Sequence, residues 1–150
     1  MVTVRGAGLF GLATAWELAR RGALVQVVDR RGPGAGSSGG IVGALAPHVP
    51  ENWNAKKAFQ LNSLLVSEAF WGGVEATSRL ATGYGRLGRL QPLADAHAVG
   101  LGQGRAEGAR ALWAGKATWE VIPAETAGPL APLSPTGLLI RDTLTARIHP

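Results

Sequence analysis

The sequence predicts an α/β fold that opens on a parallel βαβ unit and continues into further strands and helices. Three observations carry that prediction. Strand, helix and strand patterns follow one another over residues 2–5, 9–21 and 24–29. A glycine-rich turn joins the first strand to the first helix. Hydrophobic residues make up 46% of the 150 and charged residues 17%, which suits a buried core and excludes disorder through low hydrophobicity.

Each element has its own reason. Residues 2–5 (Val-Thr-Val-Arg) form a short strand bounded at once by glycine. In the helix over 9–21, Leu12, Trp16 and Ala19 fall at i, i+4 and i+7, Arg20 and Arg21 suit its last turn, and Gly22 stops it. Residues 24–29 (Leu-Val-Gln-Val-Val-Asp) are expected to form a strand buried on both faces, parallel to the first, through a right-handed crossover. Residues 31–50 then form a long Gly/Ser/Pro-rich loop, a length that is usually functional. A helix follows over 55–79, with Ala58, Leu61, Leu65 and Ala69 on one stripe beside Phe70 and Val74. Residues 84–93 read as a strand kinked by glycines. Asp95 is placed to cap a helix reaching about Trp113, although Gly100, Gly102 and Gly104 would each cost it ~1 kcal/mol. Residues 121–137 read as loop and 137–141 as one more strand. There is no internal repeat. The chain stops at Ile148-His149-Pro150 without a closing helix, and two parallel strands do not complete a doubly wound sheet, so it reads as a truncated part of a longer fold.

Composition removes several function classes. Glycine and proline number 22 and 9 without a period, which excludes collagen and favours glycine-rich loops. No apolar run approaches the ~18 residues of a membrane span. Val2 to Gly6 enter patterned structure directly instead of forming a signal peptide, so a cytoplasmic protein with no membrane partner is expected. The absence of cysteine excludes disulfides and thiol nucleophiles, and His48, His97 and His149 lie too far apart in sequence to suggest a metal site. The net charge of +5 comes from arginines scattered between Arg5 and Arg147, paired only at Arg20-Arg21 and Arg30-Arg31, with Lys56-Lys57 the one lysine pair. Scattered arginine fits a solvated surface better than a nucleic-acid face, so no nucleic-acid partner is expected.

The chemistry is concentrated near the N-terminus. Gly6-Ala7-Gly8-Leu9-Phe10-Gly11 stands between the first strand and the first helix. In this Rossmann-like arrangement Gly6 makes the tight turn, Gly8 admits a pyrophosphate to the backbone, and Gly11 lets helix pack on strand. The helix N-terminus offers free N–H groups and partial positive charge to phosphates. Asp29, 18 residues beyond Gly11, ends the second strand where a carboxylate can accept hydrogen bonds from an adenosine ribose. The same carboxylate disfavours the 2′-phosphate of NADP, an argument that Arg30 and Arg31 weaken slightly. Residues 34–45 are rich in small residues that let a long ligand lie against backbone, and Ser37 and Ser38 could bond a pyrophosphate or ribityl chain. A nicotinamide-binding domain would continue into a short-looped βα unit at this point, so the segment favours FAD over NAD.

These pieces resemble, in order and over nearly the whole chain, the N-terminal part of the D-amino-acid oxidase-like family of FAD-dependent oxidoreductases, which includes glycine and sarcosine oxidases. The resemblance rests on the GxGxxG unit, Asp29, and Ser38-Gly39-Gly40 followed by Gly43-Ala44-Leu45-Ala46-Pro47. It extends through the long helix to Tyr84-Gly85-Arg86-Leu87-Gly88-Arg89-Leu90. It implies FAD held by Gly6 to Gly11, with the Leu9 and Phe10 backbone near the pyrophosphate. It places Asp29 and Arg30 at the adenosine, Ser37 and Ser38 at the phosphates and ribityl chain, and Val42, Gly43 and Ala44 by the flavin ring. Residues 1–80 would belong to the FAD domain and 81–150 would begin an antiparallel α+β substrate domain. The implied reaction oxidises the C–N bond of a small amine or amino acid by hydride transfer to the flavin, with dioxygen as acceptor. No catalytic side chain is identified, because an essential acid or base is not expected in that scheme.

Other readings stand beside this one. His48 could face the ring, but a loop histidine between prolines is more often a surface residue. Tyr84 could line a substrate pocket, but strand aromatics are more often core. The five tryptophans fit packing better than a stacking platform. The rival functions are an NAD-dependent dehydrogenase and an inactive nucleotide-binding fragment. Family residues that hold a substrate carboxylate lie beyond the stretch this chain matches.

Overall fold

The computed structural model describes residues 1–149. They form two compact units, residues 1–43 with 149, and residues 44–148.

The first unit is the βαβ element. Strands β1 (Val2–Arg5) and β2 (Val25–Val28) pair in parallel, Val2 opposite Val25 and Arg5 opposite Val28. Helix α1 (Leu9–Arg20) packs on them and gives way at Gly22, which has φ +83°. The buried stripe differs from the expected one. Ala15 is the buried residue of α1, and Leu12 and Ala19 are exposed. The inward positions are Gly11, Ala15 and Leu18, which keep the i, i+4, i+7 spacing on a neighbouring face. The expectation that residues 24–29 are buried on both faces is also corrected. Val27 and Val28 are exposed, because the sheet has two strands and α1 covers one face of it. The loop over 31–50 is only partly irregular, since it contains a 3-10 turn (Ser37–Gly39) and strand β3 (Gly43–Leu45).

The second unit holds most of the core. Helix α2 (Ala55–Ser78) is capped by Asn54, whose side chain accepts from the Lys57 N–H at 3.1 Å. Its buried face runs through Leu61, Leu64 and Leu65, and the expected stripe members Ala58 and Ala69 are exposed. Strand β4 (Arg89–Pro92) is shorter than the expected 84–93, and Gly85 contributes one isolated bridge to Arg147. Helix α3 (Ala96–Trp113) begins at Asp95 as expected, the carboxylate accepting from the Ala98 N–H at 2.8 Å. The stretch over 121–137 is not all loop. Strand β5 (Trp119–Pro123) precedes a 3-10 turn at Ala124–Ala127. Strand β6 (Leu138–Asp142) runs antiparallel between β4 and β5, and β7 (Ala146–Ile148) pairs with β3. The α/β class with a parallel opening and antiparallel continuation is therefore the observed one.

Helix α3 packs on the sheet face that carries Trp119, Val121 and Ile140. Its glycines are not all of one kind. A Cβ on Gly102 would come within 3.1 Å of Val121, and one on Gly108 would overlap the Pro50 carbonyl, while Gly100 and Gly104 face open space. Close approach at two positions thus offsets their poor helix propensity. Trp113 and Trp119 meet edge to face at 6.1 Å in this core. Asp142 is fully buried and satisfied by Arg89 Nε, the N–H groups of Leu144 and Thr145, and the Thr145 hydroxyl, which fixes the turn from β6 to β7.

Candidate cofactor-binding turn and the strap beyond it

The turn between β1 and α1 is built around its three glycines. Gly6 has φ +108°, and its N–H donates to the Val28 carbonyl at 2.8 Å, extending the strand pairing. Gly8 is the N-cap of α1, and a Cβ there would come within 3.2 Å of the Ser38 hydroxyl. A Cβ on Gly11 would overlap the Gly6 carbonyl, so α1 can begin this close to β1 only with glycine at that position.

Asp29 ties the turn to the segment after β2. Its Oδ2 accepts from the Ala7 N–H at 2.9 Å, and its Oδ1 accepts from Arg31 at 2.8 Å and Gly32 at 3.2 Å. These backbone donors, Ala7 first and Arg31 next, hold its carboxyl below the ordinary aspartate range. The chain then turns back through Gly32 and Gly34, both at positive φ. The Gly34 N–H donates to the Ala7 carbonyl at 2.9 Å, and Ser38 Oγ accepts from the Leu9 N–H at the same distance. Ala7, Leu9, Asp29 and Ser38 are therefore one hydrogen-bonded constellation. Arg30 and Ser37 lie exposed beside it, and the side chains of Leu9 and Phe10 point outward, Phe10 being 90% exposed.

This arrangement fits a dinucleotide. The first turn of α1 carries no acidic residue to repel a phosphate, and its N-cap has no side chain to block approach. Asp29 has bonds to three backbone donors, and a carboxylate has about four acceptor sites, so one is left for a further donor such as a ribose hydroxyl.

Gly43 and Ala44 open β3, preceded by the exposed Val42. Between β3 and α2 lies a strap, residues 46–51, held by side chains that sequence reasoning did not single out. Gln60 Nε2 donates to the Ala46 carbonyl at 3.2 Å, and its Oε1 accepts from the His48 N–H at 2.6 Å. Lys57 Nζ donates to the carbonyls of Val49 and Glu51. Arg105 of α3 grips the Glu51 carboxylate with Nε at 3.0 Å and Nη2 at 2.8 Å. That grip holds the Glu51 carboxyl below its ordinary value. The readable signal was two polar residues, Lys57 and Gln60, on the inward face of α2 ahead of Leu61 and Leu64. His48 is half-buried, with its backbone pinned. Tyr84 is also half-buried, in the connection to β4, and its enclosed hydroxyl has no hydrogen-bond partner among the described residues. Burial, with Glu68 adding to it, raises the Tyr84 pKa.

Comparisons with known proteins bear on the family and the fold. A family model described as FAD dependent oxidoreductase (DAO) matches residues 1–150. A bifunctional tRNA 5-methylaminomethyl-2-thiouridine biosynthesis protein, MnmC, of Chromohalobacter salexigens is 38% identical over 79 residues, 53% of this chain and 11% of that protein. MnmC of Psychrobacter cryohalolentis is 52% identical over 46 residues, 31% of this chain and 7% of its own length. Among solved structures, glycine oxidase from Geobacillus kaustophilus superposes with a TM-score of 0.75 at 14% identity, over 98% of this chain and 40% of that one. Iminodiacetate oxidase from Chelativorans sp. BNC1 gives a TM-score of 0.71 at 23% identity, over 99% of this chain and 41% of that one. The chain thus spans less than half the length of each of these proteins, and the structural likeness speaks for the fold. No helix of the described residues is long and apolar enough to cross a membrane. With its full length matched, the chain belongs to the DAO family of FAD-dependent oxidoreductases.

Proposed function

We propose that this chain forms the nucleotide-cradling part of an enzyme that oxidises the C–N bond of a small amine or amino acid. The observation that carries the reading is the Ala7–Leu9–Asp29–Ser38 constellation at the start of α1, in a chain matched to an FAD-dependent family throughout. Bound FAD would supply a two-electron acceptor at N5 for hydride from the carbon bearing nitrogen, with dioxygen as terminal acceptor. The protein's share is binding and orientation. Backbone N–H groups at the α1 N-terminus would face the pyrophosphate, Asp29 and Arg30 the adenosine, and Ser37 and Ser38 the phosphates and ribityl chain. Val42, Gly43 and Ala44 would lie by the flavin ring, as the family resemblance implies.

The substrate has two readings. The structural neighbours glycine oxidase and iminodiacetate oxidase, named for free amino acids, favour a substrate of that kind. The local identity to MnmC, whose name specifies a methylaminomethyl group on tRNA, favours an amine carried by a nucleoside. The scattered arginines support the free amine.

Visible absorption of the purified chain, with identification of the nucleotide released on denaturation, tests the cofactor. A yellow protein releasing FAD is expected, and a protein that stays colourless with added FAD overturns binding by this chain. In the enzyme of which this chain forms the nucleotide-cradling part, anaerobic bleaching by glycine or iminodiacetate, and not by unmodified or methylaminomethyl-bearing tRNA, is expected for the preferred substrate. The reverse pattern selects the second reading.

A further inference from the structure

The sheet of β4, β6 and β5 has a second face. Trp119, Val121 and Ile140 turn towards α3, so by strand alternation Leu90, Arg141 and Glu120 form one cross-strand row on the opposite face. The connection from β5 to β6 stands beside this row as a wall. Row and wall border a cleft of about 520 Å³ inside the second unit, lined among others by Leu87, Leu90, Ala127, Leu130, Pro132 and Arg141. That volume lies in the range of small-molecule sites. Both sides of the cleft are anchored. Gly88 has φ +77°, and a Cβ on it would overlap the Asp142 carbonyl, so the chain enters β4 this close to β6 only with glycine there. Arg86 Nε donates to the Thr143 carbonyl at 2.8 Å. On the wall side, Thr136 Oγ1 donates to the Leu93 carbonyl at 2.8 Å and Ser134 Oγ to the Leu138 carbonyl at 2.6 Å. The cleft is therefore formed before any ligand arrives.

Its lining is apolar around one available cation. Leu87 is 75% exposed and Leu130 93%, and an exposed leucine by itself is ordinary. Two of them, from separate segments, border the same cleft beside a charged donor. Arg141 meets Glu120 through Nε at 3.3 Å and Nη2 at 2.7 Å, both on the one oxygen Oε2. A guanidinium has five N–H donors in a planar fork, so the Nη1–Nη2 edge of Arg141 is left without a partner among the described residues. That edge matches the two oxygens of a carboxylate. Arg89, the other cation at the cleft, is committed to Asp142 at 3.1 Å. Asp142 itself is fully buried, with its oxygens taken by Arg89, Leu144 and Thr145, so it does not repel an anion entering the cleft. We infer that this cleft binds a small monocarboxylic acid with an apolar body. The carboxylate takes the free edge of Arg141, and the hydrocarbon lies against Leu87, Leu90, Leu130 and Pro132. One free cationic edge accounts for a single carboxylate. The inference does not depend on the FAD reading, because every residue it uses belongs to the second unit.

The test titrates the full chain with 4-methylpentanoate, its neutral analogue 4-methylpentanamide, and acetate, following backbone amide and Arg141 Nε resonances by NMR. The branched acid is expected to give saturable shifts at Arg141 Nε and at the amides of Leu87, Leu90 and Leu130. The amide is expected to bind about tenfold more weakly or worse, the scale of a hydrogen bond to a charged group. Acetate, which lacks the apolar body, is expected to fall behind by a similar factor. Three variants locate the site. Arg141→Gln should raise the Kd of the acid about tenfold or more, because the charge and the fork are both lost. Leu130→Ser should weaken the branched acid about three- to tenfold and leave acetate unchanged. Glu120→Gln removes the competing carboxylate and should leave binding equal or tighter, whereas loss of binding there would mean that the Arg141 variant acts by disturbing the sheet. No saturable shift at tens of millimolar overturns the inference. So do shifts that map outside the cleft, equal binding of acid and amide, or wild-type affinity in Arg141→Gln. If Arg141→Gln fails to fold, the comparison of acid with amide on the wild type and the Leu130→Ser variant decide, since both leave Arg141 in place.

Discussion

Asp29 reports most directly on the turn. Its folded pKa is lowered, so the stability it contributes is present above the unfolded value and is lost as pH falls through the folded one. The amide resonances of Ala7, Arg31 and Gly32 are therefore expected to titrate together in acid, with a midpoint below the ordinary 3.8. A midpoint at 3.8, or three different midpoints, would mean that the three bonds do not persist in solution. Asp29→Asn should abolish the shared titration, because a carboxamide does not ionise in this pH range. Gly11 makes a second test. Alanine there would collide with the Gly6 carbonyl, which is backbone and cannot turn aside, so Gly11→Ala should cost about 1–3 kcal/mol in a denaturant melt. These residues were legible in the sequence because each acts within a local motif of fixed spacing. Lys57 and Gln60 were not, because their partners are backbone atoms 6–14 residues away whose positions no spacing reveals.

Helix α3 shows where local propensity stops deciding. Its glycines argued against a helix, yet Asp95 caps one and Gly102 is needed for packing on Val121. The glycines should therefore respond to alanine with opposite signs. Gly100→Ala meets nothing and should stabilise by about 0.5–1 kcal/mol through propensity and unfolded-state entropy. Gly102→Ala must push Val121 aside and should destabilise, and thermal midpoints of the pair read the contrast. Two midpoints moving the same way would mean that the close approach of α3 to the sheet is relaxed in solution. The strands divide along similar lines. β1, β2 and β6 were legible as β-branched or aliphatic runs bounded by glycine. β5 was missed because Trp119-Glu120-Val121-Ile122-Pro123 is short and ends in proline, so its strand state depends on pairing with β6. β7, three residues long, depends in the same way on β3. The stripes of α1 and α2 had the right period, and Leu61 and Leu65 of α2 do face the core, but Leu12 and Ala19 of α1 and Ala58 and Ala69 of α2 are exposed, because sequence alone does not say which of two apolar faces meets a neighbour.

The two units differ most in what they bury. In residues 1–43 the buried apolar side chains are Ala7 and Ala15, while the second unit buries Trp113, Trp119, Leu139, Ile140 and Leu144. Local stability follows buried apolar contact, so the units should open with different free energies. Hydrogen exchange at neutral pH is expected to show the amides of β1, α1 and β2 exchanging well ahead of those of β6, the central strand of the larger sheet. Uniform protection across both would mean one cooperative unit and would remove the distinction. A ligand that binds only the closed first unit adds RT ln(1 + [L]/Kd), about 2.7 kcal/mol at a hundredfold excess over Kd. FAD at that excess should therefore slow exchange over residues 6–11 and 29–40 by roughly a hundredfold, with β6 little changed. An effect confined to β6 would place the nucleotide away from the glycine turn. Because the readout is protection, it locates the binding residues whether or not the chain turns over any substrate.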